Sequence, residues 1–293
     1  MLTALQPWRQ RVSQDLVLSG LEDPSTTKPV LHFLHGNGFC GGVYETFLDR
    51  LTADYALFLC DAHGHGDSET GPTFPGWNAL AKQISSVARS RFEPRGDRPV
   101  IGMGHSLGGI LTLLMAAEDP TLFDRLILLD PVLFSPMMLL GNATAHAMGF
   151  KHVNPMAKRA RERVSQWGSR DEVCDALRNR GIFKGWPEEA LASYARHAVQ
   201  ENPDGEGVVL KCPPWFEAEI FDSTPRGLWK AVARIQCPTL ILFGDATYPF
   251  LQRSARRASQ LNPLIQAASM SGGHCFMLEH PVVAEKHVRE FLA

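Results

Sequence analysis

The stretch GMGHSLGG, residues 102–109, places Ser106 between Gly104 and Gly108 in the pattern G-x-S-x-G. An apolar run precedes the serine, and apolar residues at helical spacing follow it. Glycines on both sides allow a turn tight enough to project the hydroxyl above a sheet. The new helix also presents unpaired backbone amides that can stabilise a negative oxygen. The stretch therefore predicts a strand, a sharp turn and a helix, with Ser106 as a nucleophile.

Short apolar runs before and after this turn predict the strands of one sheet. They are apolar on both faces and bounded by Gly, Pro or Asp, as expected for parallel strands covered by helices. Helical patterns lie between them, and the alternation predicts an α/β fold whose central sheet is mainly parallel, with right-handed crossovers. The runs are VLHFLH (30–35), YALFLC (55–60), VIGMG (100–104), LILLD (126–130), TLILFG (239–244) and LIQAASM (264–270).

The interval from Pro131 to about Arg234 shows no convincing buried strand. Residues 187–200, PEEALASYARHAVQ, have the proline, the early acids and the apolar stripe of an amphipathic helix. Because ligand crevices form at the carboxyl ends of parallel strands, we interpret this interval as a cap over a site. The predicted division is a core of residues 1–131 and 235–293, with a mostly helical cap at 132–234.

Composition limits the classes of partner and cofactor. The formal net charge is −2, from 29 Lys and Arg against 31 Asp and Glu, which favours a small, largely uncharged ligand over nucleic acid or an anionic membrane. The six cysteines include no CxxC pair, and His63 and His65 lack an evident third metal ligand. We expect no metal and no cofactor. Neither a signal peptide nor a membrane span is evident, so the cytoplasm is the default location, and the oligomeric state is left open.

Three further stretches accompany GHSLGG in a fixed order: FLHGNGF (33–39), DAHGHGDSE (61–69) and GGHCFMLEHP (272–281). With them the chain resembles the α/β-hydrolase superfamily of serine hydrolases, esterase-like or lipase-like and bearing a cap. The resemblance covers almost everything outside the proposed cap. It implies the α/β-hydrolase fold, with the cap inserted after the sixth core strand.

The matching stretches suggest individual roles. Gly36 and Gly38 let the backbone pass close to a ligand, so the amide of Asn37, with that of Leu107, is expected to face a developing oxyanion. His274 lies on a glycine-rich loop late in the chain, which suits the order serine, acid, histidine of this fold. We therefore expect His274 to act as the general base.

The acid of the triad has two candidates. In the resembling family it usually stands three residues beyond the glycine that ends the penultimate strand, and here that position is Thr247. Asp245 is one residue beyond Gly244, so its carboxylate is expected to point away from the base. Some hydrolases of the superfamily place the acid at the end of the preceding strand, where Asp130 follows Ser106 by 24 positions. Asp130 is preferred, and Asp245, or neither, is the alternative.

A serine nucleophile argues against the dehalogenase and epoxide-hydrolase branches, which need a carboxylate at that position. The expected activity is hydrolysis of small to medium apolar carboxylic esters through an acyl-enzyme. The alternatives are a carbon–carbon bond hydrolase of ring-cleavage products and a ligand-binding pseudo-hydrolase without activity. Phe39, Met138 and Trp215 are predicted to bind substrate. The other apolar residues of the cap are each expected to lie either in the pocket or in the core of the cap. They are Phe134, Met137, Leu139, Leu140, Phe150 and Phe216.

Overall fold

The computed structural model describes residues 2–25, 27–92, 96–149 and 154–293. Phe150 therefore lies outside the described residues. The strands found in these ranges are β1 (Gln6–Ser13), β2 (Leu16–Glu22), β3 (Val30–Leu34), β4 (Ala56–Asp61), β5 (Val100–His105), β6 (Arg125–Leu129), β7 (Gln166–Trp167), β8 (Val199–Glu201), β9 (Val208–Leu210), β10 (Thr239–Gly244) and β11 (Ile265–Met270).

Eight of these strands form the central sheet, in the order β1-β2-β4-β3-β5-β6-β10-β11. From β4 to β11 all neighbours are parallel, whereas β1 pairs with β2 and β2 with β4 antiparallel. Every residue of β3, β4, β5 and β10 is buried, as expected when helices cover both faces of a parallel sheet. The predicted α/β class and mainly parallel sheet are confirmed.

The α-helices of the described residues lie between and after these strands. They are α1 (Glu45–Leu48), α2 (Trp77–Phe92), α3 (Leu107–Glu118), α4 (Pro136–Ala147), α5 (Pro155–Arg161), α6 (Arg170–Leu177), α7 (Glu188–His197), α8 (Pro214–Phe221), α9 (Leu228–Arg234), α10 (Leu251–Leu261), α11 (Phe276–Glu279) and α12 (Pro281–Leu292). Short 3-10 helices occur at Leu2–Ala4, Gly41–Tyr44, Asp49–Leu51 and Gly181–Phe183.

Two apolar clusters pack on opposite faces of the sheet. Alternate residues of β3 point to different clusters: Val30 and Leu34 join the one that contains α2, α3, α9 and α10, and Leu31 and Phe33 join the one with α1, α11 and α12. The side chains of a strand alternate between its faces, so one strand supplies both layers. The result is a sheet between two helical layers, with the carboxyl ends of the parallel strands left free for a site.

The segment between β6 and β10 holds α4 to α9. It also contains a small antiparallel sheet of β7, β9 and β8, which the sequence reading missed. These strands have two or three residues each, too few to show an alternating pattern. At the end of the segment, Leu228, Ala231 and Val232 of α9 pack in the same cluster as α3. The predicted cap boundary at residue 234 therefore includes one helix that packs with the core.

The two N-terminal strands were also missed. β1 forms the edge of the sheet and reads QPWRQRVS, in which only Trp8 is buried. An edge strand needs no continuous apolar run, because most of its side chains face water. With β1 and β2 present, β6 is the sixth strand of the chain, and the inserted segment follows it as the resemblance implied.

Candidate active site

Ser106 sits on the sharp turn between β5 and α3, with φ of 53° and ψ of −113°. Such angles are strained for a residue with a side chain. The flanking glycines are required by space. A Cβ on Gly104 would lie 2.3 Å from the carbonyl oxygen of Gly108, and one on Gly108 would lie 2.2 Å from that of Leu34. The turn thus permits only glycine at these two positions and directs the serine hydroxyl away from the sheet.

Ser106, His274 and Asp130 form one hydrogen-bonded line. The Oγ of Ser106 is 2.9 Å from Nε2 of His274, and Nδ1 of His274 is 2.6 Å from Oδ2 of Asp130. The Asp130 side chain is fully buried, while the His274 side chain keeps 15% of its surface accessible. The carboxylate can only accept when ionised, so Nδ1 carries the proton and Nε2 is left to accept from the serine hydroxyl.

Asp130 follows β6 directly and is held by the neighbouring strand β10. Its backbone amide donates to the carbonyl of Leu242 over 2.8 Å, and its φ of 43° is unusual for a residue with a side chain. The amide of Gly244 donates to Oδ1 over 2.9 Å, and the hydroxyl of Thr247 donates to Oδ2. Thr247, which fills the position usual for the acid in the family, thereby helps to hold the carboxylate of Asp130.

Asp245 does not contact His274. Its carboxylate accepts from the amide of Gly272 over 3.1 Å and from the hydroxyl of Ser271 at 3.4 Å, and the side chain is exposed. These contacts fix the loop after β11, on which His274 lies. Asp245 therefore holds the loop that carries His274, whereas the buried Asp130 contacts the histidine ring.

The amides of Asn37 and Leu107 stand near Ser106. Both residues line the cavity that contains Ser106, and neither amide hydrogen-bonds to another described residue. The amide of Gly36 differs, because it donates to the Tyr44 hydroxyl over 2.9 Å. The side chain of Asn37 is also occupied, with its nitrogen donating to the carbonyl of Glu217 over 3.0 Å. Two free amides beside the serine are thus available to an oxygen of a ligand.

A buried chain of hydrogen bonds joins this loop to the loop of His274. The Tyr44 hydroxyl accepts from the Gly36 amide and donates to Nδ1 of His105 at 2.6 Å. Nε2–H of His105 then donates to the backbone carbonyl of His274 at 2.9 Å. Burial lowers the pKa of His105 well below its ordinary value, so the ring is neutral and carries a single N–H. No sequence motif includes Tyr44, so the motifs do not predict its role.

The cavity above Ser106 has a volume of about 130 Å³ and a mainly aromatic and aliphatic wall. Of the predicted substrate-binding residues, Phe39 lines it. Met138 and Trp215 do not: they are 38% and 39% exposed and lie outside the lining, so their prediction is corrected. Both sit on helices whose apolar faces are only partly covered, which a sequence pattern cannot separate from a pocket wall. The apolar lining residues are Phe39, Trp77, Leu107, Val132, Phe134, Met156, Ile182, Ile220, Phe221, Tyr248, Phe250 and Cys275.

The other apolar residues of the predicted cap divide into three groups. Phe134 lines the cavity, whereas Phe216 is fully buried among His63, His65 and Phe74. Leu139 packs against the cluster that contains α3. The exposed group consists of Met137 (83%) and Leu140 (69%).

The described ranges hold neither a cluster of metal ligands nor a membrane-spanning helix. There, no three His, Cys, Asp or Glu side chains are grouped so that they could hold a metal ion. Every helix in those ranges is too short or too polar to cross a bilayer.

Comparison with known proteins gives the family. The sequence profile of the alpha/beta hydrolase family matches residues 33–285, which include β4 to β11 and the three residues of the hydrogen-bonded line. The chain belongs to the alpha/beta hydrolase family. It is accordingly a hydrolase with the fold of that family, as the four sequence motifs predict.

Individual relatives are more distant. A pimeloyl-[acyl-carrier protein] methyl ester esterase of Xylella fastidiosa is 24% identical over 268 residues, covering 90% of this chain and 95% of that protein. The monoglyceride lipase of Mus musculus is 30% identical over 115 residues, 38% of each chain. Among solved structures, E-2-(acetamidomethylene)succinate hydrolase superposes with a TM-score of 0.79 at 22% identity, covering 98% of this chain and 99% of that one. This last likeness concerns the fold alone.

Proposed function

We propose that this alpha/beta hydrolase cleaves carboxylic esters of small apolar acids through an acyl-enzyme. The observation behind the proposal is the line Ser106–His274–Asp130, which lies at a mainly apolar cavity beside two free amides. Nucleophile and base within hydrogen-bond reach, with the base oriented by a third group, are the features of covalent acyl transfer.

Each catalytic group acts once in acylation and once in deacylation. His274 Nε2 takes the proton of Ser106 as Oγ attacks the ester carbon, and the amides of Asn37 and Leu107 donate to the oxyanion. When the carbon–oxygen bond breaks, Nε2–H gives its proton to the leaving alcohol. Water then attacks the acyl-enzyme, loses a proton to His274, and the acid leaves as the proton returns to Ser106. Asp130 stabilises the imidazolium in both halves.

The choice of a neutral acyl group rests on the charges in the cavity wall. Among the described lining residues there is no Lys or Arg, and Glu217 contributes a carboxylate. Arg163, the partner of Glu217 at 2.7 Å, is outside the lining. An acyl group with its own carboxylate would thus find no free cation. This argues against the ring-cleavage alternative, whose products bear a second carboxylate.

The names of two relatives support ester cleavage. One relative, matched over 90% of the chain, is by name a methyl ester esterase, and a second, matched over 38%, is by name a lipase. We also propose that part of the segment 132–234 acts as the cap. Phe134, Met156, Ile182 and Phe221 of this segment line the cavity opposite Ser106, so it excludes water from the reacting bond.

A covalent probe tests the proposal directly. A fluorophosphonate should label the wild-type chain at one site, and Ser106→Ala should lose both labelling and the hydrolysis of p-nitrophenyl acetate, by on the order of 10⁴-fold or more in rate. Ser86→Ala, on the exposed side of α2, is the matched control and should keep both. Near wild-type turnover in a folded Ser106→Ala variant would exclude the acyl-enzyme. Absence of labelling in the wild type would favour the pseudo-hydrolase.

A further inference from the structure

A second opening, which we call the outer groove, adjoins the cavity of Ser106. It has a volume of about 550 Å³, roughly four times that of the cavity. Three segments form it: one around the 3-10 helix Gly181–Phe183 of the inserted segment, one after β10 and one after β11. The side chains of its lining that bear on the argument are Ile182, Lys184, Tyr248, His274 and Glu279.

The outer groove meets the cavity at three residues. Ile182, Tyr248 and His274 line both spaces. The ring of Tyr248 packs against that of His274, with centroids 4.8 Å apart, and Ile182 is 42% exposed. Ser106, Asn37 and Leu107 line the cavity and do not line the outer groove. The reacting serine and the free amides therefore face one space, whereas the histidine borders both.

The chemistry of the histidine gives the two spaces different roles. In the proposed mechanism the leaving oxygen must come within hydrogen-bond reach of Nε2 of His274 to receive its proton, and the carbonyl oxygen must face the two amides. The acyl group thus belongs in the cavity that contains the serine and the amides. We propose that the outer groove binds the leaving alcohol, so that the substrates are esters with a short acyl group and a larger alcohol. This inference rests on the proposed function and specifies its substrate class.

The dimensions and walls of the two spaces agree with this assignment. The cavity of about 130 Å³ has room for a small acyl group, whereas the groove of about 550 Å³ is wider and more open to solvent. Aromatic side chains, among them Trp77, Phe134 and Phe221, limit the cavity. The groove instead has four glycines in its wall and the charged side chains of Lys184 and Glu279. Its wall can therefore accept a bulky alcohol that also bears polar groups.

Two isomeric esters test the assignment with the purified full chain. Hexyl acetate and methyl heptanoate have the same composition and differ in which side of the ester bond bears the long chain. We expect kcat/KM for hexyl acetate to exceed that for methyl heptanoate by at least about tenfold. Equal values, or a preference for methyl heptanoate, would overturn the assignment. Hydrolysis of p-nitrophenyl acetate, measured alongside, shows separately whether the proposed function holds, and loss of all three activities would overturn both.

A substitution at the junction of the two spaces adds an independent test. Ile182→Trp should lower the ratio of hexyl acetate to ethyl acetate hydrolysis by at least about fivefold, because a larger side chain there narrows the way into the groove. Val164→Trp is the matched control: Val164 is also β-branched, exposed (64%) and in the inserted segment, but lines neither space. It should leave the ratio unchanged. An unchanged ratio for Ile182→Trp, or an equal fall in the control, would overturn the role of the groove.

Discussion

The carboxylate of Asp130 accepts hydrogen bonds from three groups: Nδ1 of His274, the amide of Gly244 and the hydroxyl of Thr247. In Asp130→Asn one oxygen becomes an NH2 donor that must face one of these donors. The histidine is then free to adopt the wrong tautomer, and the positive charge of the imidazolium loses its partner. We expect the acylation rate to fall by about 10³ to 10⁴, as is typical when a triad acid is neutralised. The burst of p-nitrophenol from p-nitrophenyl acetate measures that rate.

Asp245→Asn is the matched control for this change. It also replaces one oxygen by an NH2 group, but on an exposed side chain that holds the amide of Gly272. We expect acylation within about tenfold of wild type and a cost of roughly 1 kcal/mol in the free energy of unfolding. The reverse pattern, at matched folded fraction, would transfer the acid role to Asp245.

Thr247 shows what a sequence can say about such a site. Ser106 and His274 could be proposed because each lies in a local motif of glycines whose backbone requirement is visible in the chain. No local motif decides between Asp130 and Asp245 as the acid. The hydrogen bonds of Asp130 bring together β6, β10 and the loop after β11, which are far apart in the chain. Thr247 occupies the position usual for the acid in the family, and only the folded structure shows that its hydroxyl donates to Asp130. Ile182 and Tyr248, which no motif includes, meet only through the folded loops.

The hydrogen bonds of Tyr44 and His105 connect the loop after β3, the end of β5 and the loop that carries His274. Tyr44→Phe removes one hydroxyl and leaves the Gly36 amide and His105 Nδ1 without their buried partner. We expect the free energy of unfolding to fall by about 1 to 3 kcal/mol. We also expect kcat to fall about tenfold with KM nearly unchanged, because the loops that hold the free amides and His274 lose their common support.

The control for this prediction is Tyr55→Phe, which removes a hydroxyl from a half-buried tyrosine outside the chain of hydrogen bonds. It should leave kcat within about twofold. If Tyr44→Phe lowered stability and left kcat unchanged, the hydrogen-bonded chain would be a structural support only.

Among the larger elements, the sequence predicted those whose burial dictates their composition. β3, β4, β5 and β10 are buried throughout, so their apolar runs could be recognised. β1 has one buried side chain, and β7 has two residues, so neither leaves a pattern in the chain. Similarly, α9 was assigned to the cap by its position in the sequence, although its apolar residues pack with α3. Packing partners are set by the tertiary structure, and position in the chain does not reveal them.

The molecule as a whole buries several neutral histidines. Burial lowers the pKa of His35, His65 and His105, and it lowers that of His32 from 6.5 to about 3. His32 lies at the centre of β3 among the rings of Phe58, Phe92 and Phe123, and its ring nitrogens have no hydrogen-bond partner among the described residues. In the unfolded chain the same ring titrates near 6.5. Acid should therefore destabilise the fold through these groups.

For His32 the sign and size of this effect can be worked out. Above pH 6.5 the ring is neutral in both states, so its contribution does not change with pH. Between pH 6.5 and about 3 the unfolded chain binds a proton that the folded chain excludes, so stability falls as pH falls, by about 1.4 kcal/mol per pH unit. His32→Leu removes this titration while keeping a buried side chain of similar size. Between pH 7 and pH 5, the free energy of unfolding of wild type should therefore fall by about 2 kcal/mol more than that of His32→Leu.

Urea unfolding at several pH values measures this difference. Wild type and variant should both lose stability in acid, because His35, His65 and His105 remain. The prediction therefore concerns the gap between the two in the free energy of unfolding at each pH. His287→Leu, which changes a partly exposed histidine in the middle of α12, is the control for replacing a histidine outside the apolar core. A constant gap for His32→Leu would mean that the folded protein protonates His32, which would require an acceptor or water beside the ring. A gap that opens below pH 6.5 would make this one apolar-caged ring a main cause of acid unfolding.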